Sequence, residues 1–528
     1  MENAIYTLPY QNPLATGLEE FRRDNLRGKS LLYSVWLAAA LLMVIFTFFS
    51  VRNIQMRALP PMLVVYYIIL IVHIVYRFRG SAANFLAPDI IYLGFYSMFH
   101  LGYVTLYALN LVEYGEEIIR SQESMPRSMF IINLGLVGFL LGYELLITNR
   151  YKQVYQVVRV PTPMWMLLGT TLMAIGLVVH VGCLFAIGIP TILREGYAVI
   201  GNVSRYSSAS LGMIFWASTM MGIMGAIVTA VSSALRYRKL FHSKVAMILT
   251  IIFSAFFLLE GDRGYFIQMC MPLLLMRHYF VKKIPLKYFI IMLLILVAVM
   301  SGISAVRTVV LNPAKMFEEF KYQRSSGALD WKSPFIETGG SFKIPSLITS
   351  DIPEYEPYWY GQSYLGAAIR MVPFLDGITF RMGLRNFPPS YGSSPAQWIT
   401  YRYAGFEGAG LGFSVCAEGY MNFGYAGAFL ELAACGLFLR FLTVKFSRQP
   451  SPAWAIIMLG CLGASITTIR GDLQSSLTPF CTQIFVLSGI LTLICRNEPS
   501  PVFEQDDVYG IPEGTRGESL ESPQNVSV

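Results

Sequence analysis

The sequence predicts an all-α polytopic membrane protein of about twelve transmembrane helices, with one large structured loop on its outer side. Two observations support this fold class. Hydrophobic residues make up 55% of the 528 residues and charged residues only 14%, whereas soluble domains carry about 25% charged residues. Apolar runs of about 20 residues, each long enough to cross a hydrocarbon core of about 30 Å, recur along nearly the whole chain.

The predicted spans fall into an N-terminal bundle of about nine and a C-terminal group of about three. The first thirty residues are polar and basic and show no cleavage site, so we expect the first span to be an uncleaved anchor. The approximate extents are 31–50, 59–76, 84–111, 128–148, 163–189, 211–235, 245–260, 264–280, 288–305, 413–441, 453–470 and 473–495. The bundle thus occupies residues 1–305 and the C-terminal spans occupy 413–495.

Basic residues mark alternate loops, on the same side as the basic N-terminus. The positive-inside rule makes this side cytoplasmic, and an even number of spans brings the C-terminus there too. The loop with Arg52 and Arg57 runs against the rule. We interpret the net charge of +8 through topology and expect no nucleic-acid partner. The marker residues are Arg77, Arg79, Arg150, Lys152, Arg159, Arg236, Arg238, Lys239, Lys244, Lys282, Lys283, Lys287, Lys445 and Arg448.

This orientation places residues 306–412 outside as one large loop. The loop is rich in Tyr and Trp, whereas disordered segments are poor in aromatic residues, so we expect it to be folded. Aromatic faces pack on sugar rings, which makes Tyr360 a candidate substrate contact; ordinary anchoring at the membrane interface is the alternative. Residues 496–528 are rich in Pro, Gly, Ser and acidic residues and are predicted to be a disordered cytoplasmic tail.

The sequence lacks the residue patterns of several kinds of functional site. The seven cysteines lie within or beside apolar spans and show no zinc spacing, so we expect neither a disulfide framework nor a metal site. Asp-x-Asp, Walker A and Gly-x-Ser-x-Gly patterns are missing, which argues against nucleotide hydrolysis and a nucleotide-sugar donor. No cofactor is expected.

The most informative segment is the glycine-rich run 408–424, which carries Glu418 into an apolar span. An ionisable residue at membrane depth is costly and is a functional candidate. A partly desolvated carboxylate is also more basic, so Glu418 is the predicted catalytic base. Tyr420 and Asn422 are expected to orient the substrate. The alternatives for the base are Glu407, Asp262 and Asp472.

Three arginines, Arg263, Arg307 and Arg470, lie at outer ends of predicted spans. Guanidinium binds phosphate in a bidentate manner, so these residues are predicted to converge on a diphosphate. Pairing of Arg263 with Asp262 or Glu260 in a simple structural turn is the alternative. Arg370 and Arg381 in the large loop are weaker candidates for the same site or for glycan contact.

The chain resembles the bacterial O-antigen, or oligosaccharide repeat-unit, polymerases called Wzy. The resemblance rests on Gly261-Asp262-Arg263-Gly264, the long loop before Gly410-Leu411-Gly412-Phe413-Ser414, the run Ala417 to Gly424, and Ile469-Arg470-Gly471-Asp472. It covers roughly 250–500 and the overall topology. It implies a C-type glycosyltransferase-like enzyme, in the bacterial inner membrane with its active site facing the periplasm.

Such an enzyme transfers the growing glycan from one undecaprenyl diphosphate onto a new lipid-linked repeat unit. The resemblance implies undecaprenyl-diphosphate-linked glycans and membrane lipid as partners, together with a membrane protein that regulates chain length. Three alternatives remain, one of which is a scaffold or regulator of envelope polysaccharide assembly. A flippase or other transporter also has many spans, although carriers commonly show internal repeats, which this chain lacks. An O-antigen ligase would carry a histidine in the large loop, and residues 306–412 contain none.

Overall fold

A computed structural model describes most of the chain between residues 31 and 499. The described residues are 31–53, 59–78, 85–113, 124–145, 159–188, 190–192, 209–260, 263–292, 294–295, 317–318, 321–322, 325, 331–371, 394–404, 410–448, 451–474, 478–494 and 497–499. The predicted C-terminal tail, Glu407 and most of the predicted span 288–305 lie outside these residues.

Helices dominate the described chain. The first half contains α1 (Leu31–Val51), α2 (Leu59–Phe78), α3 (Pro88–Ala108), α4 (Ser124–Leu145), α5 (Pro163–Ile187), α6 (Ala209–Tyr237), α7 (Lys244–Leu259) and α8 (Arg263–Met276), which continues into a π-helical turn, Arg277–Val281. The second half contains α9 (Ser333–Gly339), a 3-10 turn (Gly340–Phe342), α10 (Lys343–Asp351), α11 (Gln362–Met371), α12 (Pro395–Ala404), α13 (Val415–Arg448), α14 (Pro452–Thr468) and α15 (Thr478–Ile494). Two strands of three residues each, β1 (Arg159–Pro161) and β2 (Asn497–Pro499), pair antiparallel. The described chain is otherwise helical, as the all-α prediction expects.

Six described helices are long and apolar enough to cross a membrane, which makes the chain a multi-pass helical membrane protein. They are α1, α2, α4, α5, α6 from Ser210, and α13. Shorter apolar helices occur at Lys244–Leu259, Pro452–Thr468 and Ile484–Ile494. The count of about twelve spans stays a prediction.

Glycines allow α4 and α13 to pack backbone to backbone. A Cβ at Gly138 would lie 2.3 Å from the Phe429 carbonyl oxygen, and one at Gly142 would lie 1.9 Å from that of Ala433. Small residues spaced by four allow this close approach between membrane helices. Because both residue numbers rise together, the two helices run in parallel.

A buried polar network ties α1, α2 and α3 together at one end of the bundle. Tyr33 lies 2.5 Å from Nδ1 of His73, whose Nε2 is 3.0 Å from the Asp89 carboxylate. Arg77 also binds this carboxylate, at 2.8 Å and 3.1 Å. Asp89 is fully buried, and its charge is compensated by this pairing. The network joins the start of α1 to the end of α2 and the start of α3.

The large-loop helices lie at the end of the bundle where α3 ends and α4 begins. Lys332 Nζ donates to the Leu111 carbonyl at 3.1 Å, and the hydroxyls of Ser124 and Ser346 are 2.8 Å apart. Elsewhere, β1 pairs with β2, and Arg236 donates to Pro161 at 3.1 Å. These contacts bring together segments that the predicted topology assigns to the same side of the membrane. Which side is which stays a prediction, as does the division of the chain into bundle, loop, C-terminal spans and tail at residues 305, 412 and 495.

Candidate active site

The segment with Glu418 forms a helical hairpin instead of entering a straight span. α13 is interrupted at Phe423 and Gly424, where the backbone leaves helical geometry. A Cβ at Gly419 would lie 2.5 Å from the Gly427 carbonyl oxygen, although residues eight apart in one helix lie about 12 Å apart. The chain therefore reverses. We call residues 415–422 the re-entrant arm and residues 425–448 the long arm.

Glycines explain why the sequence folds this way. Gly424 has φ 64°, a left-handed conformation that favours glycine. Gly419 and Gly427 lack side chains where the two arms touch. Non-helical backbone at membrane depth is tolerated only where protein or a water-filled cavity surrounds it, and most of the re-entrant arm is buried.

The loop segment 359–361 caps the C-terminal end of the re-entrant arm. The amides of Trp359 and Tyr360 donate to the carbonyls of Met421 and Asn422 at 3.0 Å and 3.2 Å. The Gly361 amide donates to Asn422 Oδ1 at 2.9 Å. These bonds satisfy carbonyls that the end of a helix leaves without partners, so the large loop holds the hairpin in place.

The N-terminal end of the re-entrant arm is anchored to α3. Nε2 of His100 lies 2.7 Å from the Ser414 hydroxyl, and Nδ1 lies 3.0 Å from the Tyr96 carbonyl oxygen. The carbonyl fixes Nδ1 as the protonated nitrogen, so Ser414 donates to Nε2. Both side chains are fully buried, and the pair fixes the arm one turn before Glu418. This pair was not predicted from the sequence, because 314 positions separate the partners.

Glu418 is fully buried inside this hairpin. Its Oε2 accepts a hydrogen bond from the Leu473 amide at 2.9 Å. Ser363 lies beside the same carboxylate, and its hydroxyl accepts from Asn422 Nδ2 at 2.7 Å. Two loops and a membrane helix thus meet at the Glu418 carboxyl group, which is the predicted catalytic base.

A second buried carboxylate, Glu431 on the long arm, belongs to the same cluster. Tyr364 donates to Glu431 Oε2 at 2.7 Å, and the charges of Glu418 and Asp472 act on Glu431. Burial and the neighbouring Glu431 raise the pKa of the Tyr364 phenol, so it remains a donor. Glu431 was not predicted from the sequence, although its place within an apolar span is the same signal that singled out Glu418.

Arg470 lies next to the entry of the re-entrant arm. Its carbonyl accepts from the Phe413 amide at 3.2 Å. Its side chain adjoins Gly412, where Nε would be 4.0 Å from an added Cβ, and Gly412 has φ 73°. Asp472 then accepts from the Ala396 amide at 2.8 Å and so joins this turn to α12.

The first half of α8 is joined to the end of α14, next to the Arg470 turn, through Gln268. Gln268 Nε2 donates to Thr467 Oγ1 at 2.8 Å. Arg263 is the first residue of α8, but its side chain is outside the described residues. Glu260 is 2.6 Å from His180 Nε2. Convergence of Arg263 with Arg470 therefore stays a prediction, which the proximity of the two segments supports.

Of the other predicted site residues, the structure describes the side chains of some and not of others. Arg307 and Arg381 lie outside the described residues, as does the side chain of Arg370 in α11. Tyr360 is 72% exposed at the hairpin tip. Tyr420 is buried and donates to the Ile352 carbonyl at 3.1 Å.

The Asn422 amide makes its hydrogen bonds within the protein, to Ser363, Gly361 and the Glu418 carbonyl. These bonds give Asn422 a structural role in the hairpin. Its predicted contact with substrate remains a prediction.

A polar cluster holds the folded part of the large loop together. Arg402 lies 3.4 Å from Asp351 and also donates to Glu356, while Tyr403 donates to Asp351. Burial and the Asp351 carboxylate raise the pKa of Tyr403, which therefore remains a hydrogen-bond donor. This cluster joins α12 to the end of α10.

The comparison with known families decides between the functions that this geometry allows. The model of the family "O-antigen polysaccharide polymerase Wzy" matches residues 33–497. The chain belongs to this family. No curated protein and no solved structure matches it.

Family membership makes the chain a transmembrane O-antigen repeat-unit polymerase of polysaccharide biosynthesis, with a glycosyltransferase-like activity. The resemblance drawn from the motifs is confirmed over most of the chain. The transporter and ligase alternatives are not supported by this match.

Proposed function

We propose that the protein polymerises undecaprenyl-diphosphate-linked repeat units at the periplasmic face of the bacterial inner membrane. The observation that carries the proposal is the burial of Glu418 in a re-entrant hairpin whose entry adjoins Arg470. A base for the attacking hydroxyl and a cation for the leaving diphosphate are the two groups that this transfer requires. A chain-length regulator in the membrane is the proposed protein partner.

In the proposed step, Glu418 accepts the proton of a sugar hydroxyl on the acceptor. The hydroxyl oxygen forms a bond to the anomeric carbon of the donor glycan, while the bond from that carbon to the diphosphate oxygen breaks. The leaving undecaprenyl diphosphate takes the electron pair and is stabilised by Arg470, with Arg263 and Arg307 as further predicted ligands. No nucleotide or cofactor enters this balance, because the sugar–diphosphate bond is already activated.

The test is polymerisation by purified protein with defined lipid-linked repeat units. Glu418→Gln keeps the shape and the Leu473 hydrogen bond but removes the basicity, so we expect at least about a 100-fold loss of rate. Arg470→Lys should lose activity because lysine lacks the bidentate fork. Glu354→Gln, at an exposed carboxylate of the same loop, is the matched control and should retain the wild-type rate. A near-wild-type rate for Glu418→Gln would remove Glu418 from the mechanism.

A further inference from the structure

A second pair of arginines lies at the same end of the bundle as the hairpin tip. Arg52 directly follows α1, and its amide donates to the Phe48 carbonyl at 2.9 Å. Arg127 lies in the first turn of α4. Phe48 and Phe130 stack with ring centroids 4.0 Å apart. Residues three or four apart share one face of a helix, so Arg52 and Arg127 both lie one turn beyond this stack.

Tyr425, at the start of the long arm, completes the floor beneath the two arginines. Its ring centroid is 5.0 Å from that of Phe130 and 5.8 Å from that of Phe48. The positive charges of Arg127 and Arg52 both act on its phenol. The site is thus a pair of cations above an aromatic base.

Both guanidinium groups are available to a ligand. Both residues are exposed, and neither forms an ion pair with a carboxylate among the described residues. Their contacts include a 3.5 Å hydrogen bond from Arg127 to the Thr349 carbonyl and the stacking of Arg52 on Phe49 at 5.0 Å. Guanidinium groups bind phosphate through charge-assisted, bidentate hydrogen bonds, so two neighbouring arginines suit a phosphate ligand. Exposed apolar residues of α1, Phe46 and Phe49, continue from the site toward lipid.

This pair lies on the other face of the re-entrant arm from the catalytic carboxylate. Glu418 and Tyr420 are two residues apart and therefore point about 200° apart around the arm. Glu418 bonds to Leu473, whereas the Tyr420 ring lies 5.2 Å from that of Tyr425, below the arginines. The hairpin separates two cationic regions, one with Arg470 and one with Arg52 and Arg127.

The proposed reaction requires two diphosphates to be bound at once. The donor diphosphate is attached to the reacting anomeric carbon and must lie beside Glu418. The acceptor reacts through its non-reducing end, so a whole repeat unit separates its attacking hydroxyl from its own diphosphate. We propose that Arg52 and Arg127 bind the diphosphate of the acceptor substrate. This inference rests on the proposed function.

The test varies one substrate at a time. Labelled, preformed lipid-linked polymer is held at saturation as donor while single lipid-linked repeat units are titrated as acceptor. Replacing both arginines by glutamine (R52Q with R127Q) should raise the acceptor KM at least about tenfold, as expected for lost charged hydrogen bonds. The KM for the polymer donor and kcat at saturating acceptor should stay within about twofold. Double replacement by lysine should give an intermediate acceptor KM because charge is kept and the fork is lost.

Lys321→Gln is the matched control, because it removes one exposed cation from the large loop without touching the arginine pair. It should leave both KM values unchanged. An unchanged acceptor KM in the double glutamine variant, or an equal rise in both KM values, would overturn the assignment. Thermal unfolding close to that of wild type ensures that a KM change reports binding.

Equilibrium binding of undecaprenyl diphosphate separates this inference from the proposed function. The number of undecaprenyl diphosphate molecules bound per protein at saturation should fall by about half in the double glutamine variant. It should fall by about half in the separate Arg470→Ala variant too, as for two independent sites. Wild-type stoichiometry in the double variant would refute the second site alone, whereas absence of both binding and polymerisation in wild type would refute the proposed function. Displacement of the probe by phosphatidylglycerol vesicles would identify a general headgroup surface and also overturn the assignment.

Discussion

At the residue scale, the buried Glu431 carboxyl group depends on Tyr364 for its hydrogen bond. The Tyr364 phenol is the donor to a carboxylate oxygen buried in the long arm. Tyr364→Phe removes this donor, and a buried acceptor left without its partner costs about 1–3 kcal/mol. We expect lower thermal stability in detergent and a reduced polymerisation rate. Tyr355→Phe, at a residue that is 72% exposed, should change neither.

The same pair allows a rescue experiment. Glu431→Gln replaces the ionisable carboxyl group by a neutral amide and keeps an acceptor oxygen, so adding it to Tyr364→Phe should recover part of the lost stability. Strictly additive losses in the double variant would show that the two side chains are not coupled. This result can be read from thermal unfolding alone, whatever the variants do to activity.

Site residues could be predicted from the sequence where the pattern that marks them is local. Glu418 stands out because a charge within an apolar run is visible in the sequence. The pairing of His180 with Glu260 joins residues 80 positions apart, and that of His100 with Ser414 joins residues 314 positions apart. No local pattern specifies such contacts, because they depend on which helices become neighbours.

At the element scale, the hairpin in α13 depends on glycine. A Cβ at Gly427 would lie 2.0 Å from the Gly419 carbonyl oxygen, so Gly427→Ala should force the arms apart and cost about 1–3 kcal/mol. Because the re-entrant arm carries Glu418, we expect polymerisation to be lost even where the protein accumulates in the membrane. The activity of purified variant in detergent is the measurement.

Gly94→Ala provides the matched control for this change. Nothing lies within 4 Å of a Cβ added at Gly94 in α3, and alanine is favoured over glycine in a helix by about 0.5–1 kcal/mol. Stability should therefore rise slightly and activity stay at the wild-type level. Equal losses in both variants would mean that the glycine contact between the arms has no special role.

The element boundaries show where sequence reasoning reached its limit. Hydropathy placed most described helices within a few residues, because an apolar run of the right length has few other solutions in a membrane. It extended one span through 413–441, although the chain reverses at Phe423 and Gly424. The sequence remains apolar through the reversal, so hydropathy does not reveal it. Only the glycine spacing distinguishes the hairpin from a straight helix.

At the scale of the whole molecule, the proposed mechanism requires the hairpin and the large loop to face the periplasm. The basic residues of alternate loops assign these sides, and the contacts of Lys332 with Leu111 and of Arg236 with Pro161 group the segments accordingly. The positive charge at Arg52 and Arg127 departs from the rule, which a substrate-binding role for these residues explains.

Cysteine labelling tests this orientation. Tyr355→Cys on the large loop and Lys239→Cys after α6 introduce thiols at exposed positions. The described native cysteines are buried or half-buried, so wild-type protein measures the background. In intact cells with a permeable outer membrane, a thiol reagent that cannot cross the inner membrane should label the Tyr355→Cys variant only, and lysis should then expose the thiol of the Lys239→Cys variant. Labelling of position 239 alone before lysis would invert the topology and place Glu418 and both arginine sites at the face where the proposed substrates do not arrive.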